Sequence, residues 1–145
     1  MQRQGSVALG ILLLAAAAWA DTPAERHGIA ADLKAYPQAS PKETLASVLK
    51  AADAKRYDYL LAQLADPDWV DARIKTAADG FKELVQETAS RLDPPRVKLL
   101  RRFLEEGEVE TLDSTAVFRL KDVKDRAVRL HKQNNRWYLR QSNKP

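Results

Sequence analysis

The side chains best placed to do chemistry in this sequence are cationic and lie near its end. Residues 121–145 hold eight Lys or Arg against two Asp. Arg119, Arg129, Tyr138 and Arg140 fall on one parity of successive strand-like runs, so they share a water-facing side. Such a surface can meet an anionic envelope or extracellular partner: an acidic polysaccharide, a lipid head-group surface or an acidic protein. The plainer reading is a solvated face, partly neutralised by Glu108 and Glu110. Arg96, Lys98, Arg101 and Arg102 with Glu105 and Glu106 form a second charged set, and its i, i+4 pairs describe a solvated helix face. Other chemistries lack their residues. His27 and His131 have no ligand-spaced partners, so no metal is expected. There is no cysteine and no serine in a glycine-flanked turn to act as nucleophile. No catalytic residue and no cofactor are assigned. Nucleic-acid motifs are missing too, so nucleic acid is not an expected partner.

The elements that carry the cationic surface read as an antiparallel meander with strands at 108–112, 115–120, 126–131 and 137–141. Ala116, Phe118 and Leu120 alternate with Val117 and Arg119. Val128 and Leu130 alternate with Ala127, Arg129 and His131, and Trp137 and Leu139 with Tyr138 and Arg140. Each strand thus has one apolar side, the pattern of a sheet covered on one face. Asp113-Ser114 is a short turn, 121–125 a longer polar loop, and Asn134-Asn135 suits a hairpin because Asn tolerates positive φ. The two glutamates of 108–112 suit an edge strand protected by charge.

Before the meander the apolar spacing is helical. Ser40-Pro41-Lys42-Glu43 starts a helix, with Ser40 as cap and Glu43 reaching back to the cap's N–H. Its stripe is Leu45, Val48, Leu49 and Ala52. A second helix has Tyr57, Leu60, Leu61 and Leu64 on one side. Asp66-Pro67 opens a short one with Trp69, Val70 and Ile74. After Asp79-Gly80 come Phe81, Leu84, Val85, Thr88 and Leu92. Asp93-Pro94-Pro95 opens the last, which Gly107 ends. Helices first and strands last give an α+β fold: N-terminal helices packed on one face of a C-terminal four-stranded meander.

The chain has 145 residues and a formal charge of +4. Arg3, the apolar run 7–18 and Ala18-Trp19-Ala20 have the layout of a secretory signal peptide. The run is shorter than the roughly 20 residues that a membrane-spanning helix needs, so no stable membrane anchor is expected. The expected division is a signal peptide at 1–20, an irregular arm at 21–39, one domain at 40–141 and a tail at 142–145. The protein is thus expected to be periplasmic or secreted. Without cysteine, neither lipid attachment nor disulfides are available.

The run Leu45-Ala46-Ser47-Val48-Leu49-Lys50-Ala51-Ala52-Asp53-Ala54-Lys55-Arg56-Tyr57-Asp58-Tyr59-Leu60-Leu61 resembles the opening of nuclear-transport-factor-like domains of the cystatin-like fold. Ala65-Asp66-Pro67-Asp68-Trp69 resembles the segment that follows, and Asn135-Arg136-Trp137-Tyr138-Leu139 their last strand. Within that superfamily the chain is most similar to small exported proteins of unknown role. The resemblance implies a cone, a curved sheet wrapped on helices, sometimes with a pocket at the open end. Residues 79–106 are an addition to that layout, and helices there could fill the pocket. Ketosteroid-isomerase-like members place an acidic base and hydrogen-bond donors inside the cone, and the nearest candidates here are Asp58, Tyr57, Tyr59 and Asp68. Helix-start capping accounts for both aspartates, and of the tyrosines only Tyr57 lies on the apolar stripe.

The reading that follows is an exported, non-enzymatic binding or interaction module. The alternatives are a cone-pocket protein that binds or acts on a small apolar ligand, and a homodimer formed through the sheet face. Export can be checked directly. The chain recovered from the envelope or medium should begin at Asp21 by intact mass, and an exported chain with the Ala20–Asp21 bond whole would contradict the reading.

Overall fold

Three of the helices start where a short oxygen-bearing side chain precedes a proline. In α1 (Pro41–Asp53) Ser40 Oγ accepts the Glu43 N–H at 3.2 Å. The Glu43 carboxylate accepts from Ala39 N–H at 3.0 Å, one residue before the cap rather than at it. Asp66 and Asp93 accept from Asp68 and Arg96 N–H, each at 3.0 Å, and open α3 (Pro67–Thr76) and α5 (Pro94–Glu105). These bonds satisfy donors that the first turn leaves without partners. α4 (Gly80–Arg91) lacks a side-chain cap bond. At Gly107 any side chain would collide with the Phe103 carbonyl, so the chain can turn off α5 tightly only as glycine.

The computed structural model describes residues 24–141. The expected leader and the last four residues lie outside the described residues. The fold is α+β, with helices in the N-terminal half and a four-stranded antiparallel sheet after them. The strands are β3 (Glu108–Leu112), β4 (Thr115–Leu120), β5 (Val123–Gln133) and β6 (Arg136–Arg140), in that spatial order. Asp113, Asn134 and Asn135 take positive φ at the two short turns, as turn residues of these types tolerate. β5 begins at Val123, which pairs with Leu120, so the loop expected at 121–125 is instead a tight turn at Lys121-Asp122 followed by a register shift. The extra residues are absorbed as a bulge within the strand.

Parity gives the expected inside. Ala116, Phe118, Leu120, Val128, Leu130 and Trp137 are buried and pack with Leu45 of α1 and Phe103 of α5. A second cluster, among Val48, Leu60, Leu64, Val70 and Leu84, holds the helices together. Leu139 is half-buried and touches both clusters.

Two segments differ from the sequence reading. The arm contains a small hairpin, β1 (Glu25–Arg26) and β2 (Ile29–Ala30), turned by His27 and Gly28 at positive φ. It is too short to show an alternating pattern. It is fastened instead by Arg26, which binds Asp71 at 2.7 Å, and by the His27 ring stacked on Phe81 at 4.4 Å. The second helix is a single turn, α2 (Tyr57–Tyr59), followed by a π-helical turn at Leu60–Leu64 whose five residues are all buried. The wider winding rotates the faces, so Tyr59 rather than Tyr57 is the buried tyrosine. Its hydroxyl accepts the Asp32 N–H at 2.8 Å, and its ring stacks on Tyr36 at 4.2 Å.

The π turn ends against β6 in a buried polar network. Gln63 is fully buried; its side-chain amide donates to the Ala24 and Ile29 carbonyls at 2.9 and 2.8 Å, and its side-chain oxygen accepts from Arg136 at 3.1 Å. The Gln63 carbonyl accepts from Gln38 at 3.0 Å and from Arg136 at 3.2 Å, and the Ala62 carbonyl from Arg26 at 3.1 Å. Two guanidiniums thus serve the carbonyl end of one helical turn, where the backbone dipole favours positive charge. Gln38 also closes the free edge of β6, exchanging bonds with the Trp137 N–H and carbonyl at 3.0 and 2.8 Å. Beyond it Ala65 bridges to Leu139, and Asp66 N–H donates to the Leu139 carbonyl at 2.8 Å.

Trp137→Ala should cost about 3–5 kcal/mol in chemical denaturation, the range for emptying a buried aromatic site. A loss under about 0.5 kcal/mol would mean that the ring is not in the core. Tyr59 gives a pH test. Burial pushes its phenol above the usual value of 10.0, against a smaller lowering by the Asp32 backbone bond. The unfolded chain therefore ionises first, and stability is lost as pH rises above 10.0 toward the folded value. Denaturation on either side of that pH should show a shallower alkaline loss in Tyr59→Phe than in the natural chain; an equal slope would contradict it.

Candidate functional site

The cationic residues singled out in the sequence do not form one uniform surface. Arg129 and Arg140 are exposed and face each other directly across β5 and β6. Arg119 is exposed on the same side of β4, two positions from Val117, the partner of Arg129 on that strand. Tyr138 shares this side but is only 7% exposed, which corrects its assignment to the water-facing surface. Arg136 lies over its ring at 5.2 Å and His131 stands 6.1 Å away. The Arg136 guanidinium and the ring of His131, its cross-strand partner, flank the tyrosine on this side.

His131 belongs to this covered corner. Its Nε2 lies 3.9 Å from Asp66 and 3.5 Å from the Gln133 side chain, while its buried Nδ1 has no hydrogen-bond partner. His27 lies on the hairpin with its Nε2 3.6 Å from Asp71. Among the described residues no cluster of three metal-ligating side chains occurs.

The acid–base candidates do not converge. Asp58 binds Arg56 at 3.0 Å on the surface. Partial burial raises its carboxyl, but the Arg56 hydrogen bond and charge and backbone N–H groups outweigh this and hold it below the ordinary range. A lowered carboxyl is a weaker base. Asp68 is exposed in the first turn of α3, and Tyr59 is occupied with Asp32.

An opening between helices and sheet brings other residues together. A cleft of about 270 Å³ lies between the helices and the sheet, where the middle of β5 meets the end of β6. Val48 and Leu60 are buried at its base, and Trp69, Leu92, Leu100 and Leu139 wall it while staying half-buried. Arg91, Arg129 and Arg140 border it, with Thr88 and Gln141. α4 and α5, which could have filled a cone, form its walls instead. Its volume is just below the usual small-ligand range of roughly 300–1,000 Å³, and apolar residues make up most of its lining.

Among the described residues, two other depressions are more open to solvent. One of about 330 Å³ lies over the β4–β5 turn, edged by Arg119, Lys121, Lys124 and Arg126 with Glu108. The other, about 630 Å³, runs along α5 past Asp53 and Arg101, which already bind each other at 2.7 Å. The larger volumes belong to open surface, and of these three the 270 Å³ cleft is the one that reaches the buried core residues Val48 and Leu60.

Sequence reasoning reached Arg129 and Arg140 but missed Arg91, Trp69, Leu92 and Leu100 as neighbours of theirs. Arg91 reads as an ordinary last-turn cation, and the three apolar residues as ordinary stripe positions. No periodicity records that their shared side is left unfilled. Compared with protein-family models, with curated proteins and with solved structures, the chain matches none.

Proposed function

We propose that this protein is an exported, non-enzymatic binding module, built as a nuclear-transport-factor-like cone, that holds a small ligand in the cleft between its sheet and α4–α5. The observation that carries the reading is the set of half-buried Trp69, Leu92, Leu100 and Leu139 around about 270 Å³ of unfilled space. Apolar side chains left at an opening gain free energy when something apolar covers them, by about 25 cal/mol per Å². The catalytic alternative finds less support, because Asp58 is held by Arg56, Asp68 lies exposed in the first turn of α3 and the buried Tyr59 is occupied with Asp32. A homodimer through the sheet face would set exposed Arg119, Arg129 and Arg140 against the same residues of a second copy, and edge pairing through β3 is also less favoured. Leu112 is 73% exposed there, but Glu108 and Glu110 lie on the same strand, and pairing it with its own copy about Glu110 sets two like charges opposite.

Octanol tests the reading as a neutral apolar probe. It should raise the thermal midpoint of the exported chain in a saturable way, by linkage worth about 2.7 kcal/mol at 100 times Kd. Leu100→Trp, which fills the cleft from α5, should remove that response while leaving the protein folded. Absence of a saturable shift, or one untouched by Leu100→Trp, would contradict the assignment.

A further inference from the structure

The outer face of the sheet carries cations that the fold leaves unused. Although Arg129 and Arg140 border the cleft, their side chains stand on the other face of β5 and β6, opposite to Val128 and Leu139. The two arginines are direct cross-strand partners, and like charges in that position destabilise a sheet. Arg119 shares the face on β4. Among the described residues none of the three forms an ion pair, whereas Arg26, Arg56, Arg73, Arg101 and Arg102 each bind a carboxylate. The acids of this face stand to one side, on β3. Glu108 is paired across the ladder with Arg119, yet its carboxylate lies 3.6 Å from Lys121, and Val117 separates Glu110 from Arg129.

The cations continue past Arg119. The depression of about 330 Å³ at the β4–β5 turn is edged by Arg119, Lys121, Lys124 and Arg126, and Glu108 is the one acid in its lining. The register shift between Phe118 and Leu120 falls here, and such bulges re-aim side chains at the end of a sheet. We propose that the outer face binds an acidic polysaccharide, laid from this depression across Arg119 and Arg129 to Arg140. A planar lipid surface would meet the acids of β3 together with the arginines, whereas a linear chain follows the arginines and misses them. Tyr138 is the aromatic residue of this face and is 7% exposed, so among the described residues no ring offers a stacking platform to a nucleobase or a neutral sugar. Recognition is by charge, through guanidiniums that can bind a carboxylate or sulfate in bidentate fashion. The surface is on the far side of the sheet from the cleft, so it is independent of the ligand proposed there.

Polygalacturonate and neutral dextran are titrated into the exported chain by calorimetry, at low and at high salt. Polygalacturonate should bind and dextran should not, and the affinity should fall as salt is added. Arg129→Gln with Arg140→Gln should lower that affinity at least about tenfold, because two charge-assisted contacts are lost. The same variant should keep or raise its denaturation midpoint, because a like-charge pair is relieved. Lys75→Gln with Lys82→Gln removes as much charge from exposed positions of α3 and α4 and should change affinity by less than about twofold. Leu100→Trp should leave polygalacturonate binding intact. Equal losses in the two double variants would make net charge the cause and overturn the proposal. So would failure of polygalacturonate to bind, loss of its binding in Leu100→Trp, or a fall in midpoint that accounts for the lost affinity. Tighter binding to phosphatidylglycerol vesicles or to single-stranded DNA, dependent on the same two arginines, would assign the face to a membrane or a nucleic acid and also overturn it.

Discussion

A guanidinium without a carboxylate holds the two halves of this protein together. Arg136 sits at the start of β6 and donates to the backbone carbonyl and side-chain oxygen of Gln63. A partly buried cation is costly unless its hydrogen bonds are met. Here they are met by the carbonyl end of a π-helical turn, by the Gln38 side chain and by the face of Tyr138. Its Nε remains without a partner, so the site is not fully satisfied. The same helical end receives Arg26 from the N-terminal hairpin. Strap, helix and sheet therefore share one set of acceptors.

That junction positions the site. With the π turn fixed on β6 through Arg136, Gln38 and the Asp66–Leu139 backbone bond, Leu60 and Leu139 form one floor. α3 then sets Trp69 beside that floor, α4 contributes Arg91 and Leu92 near its end, and α5 contributes Leu100. The helical and sheet-facing clusters meet at Leu139 without closing over it. An opening at such a seam is where small-ligand sites commonly form.

Much of the fold is legible in the sequence because local chemistry decides it. Ser40-Pro41, Asp66-Pro67 and Asp93-Pro94 fix three helix starts, and the parity of Phe118, Val128, Leu130 and Trp137 fixes the inner face. What escaped depends on contacts distant in the chain. The hairpin at Glu25–Ala30 is held by Gln63, Asp71 and Phe81, none of which is near it in sequence. Tyr138 has outward parity, yet it is covered, with the Arg136 guanidinium over its ring and His131 beside it. The π winding follows from no residue spacing, since Leu60–Leu64 is apolar enough to suit several helical turns. The cleft is the least legible feature, because unfilled space is set by how α4 and α5 dock and not by what either helix contains.

A double-mutant cycle of Gln63→Leu and Arg136→Met, read by chemical denaturation, tests this junction most directly. Each single change strands polar atoms of the other residue, whereas the double change leaves fewer of them without partners. The account predicts that the double variant is more stable than the two single losses would sum to, by at least about 1 kcal/mol. Losses that add to within about 0.3 kcal/mol would show that Gln63 and Arg136 do not act together, and the π turn would then be held on β6 by something else.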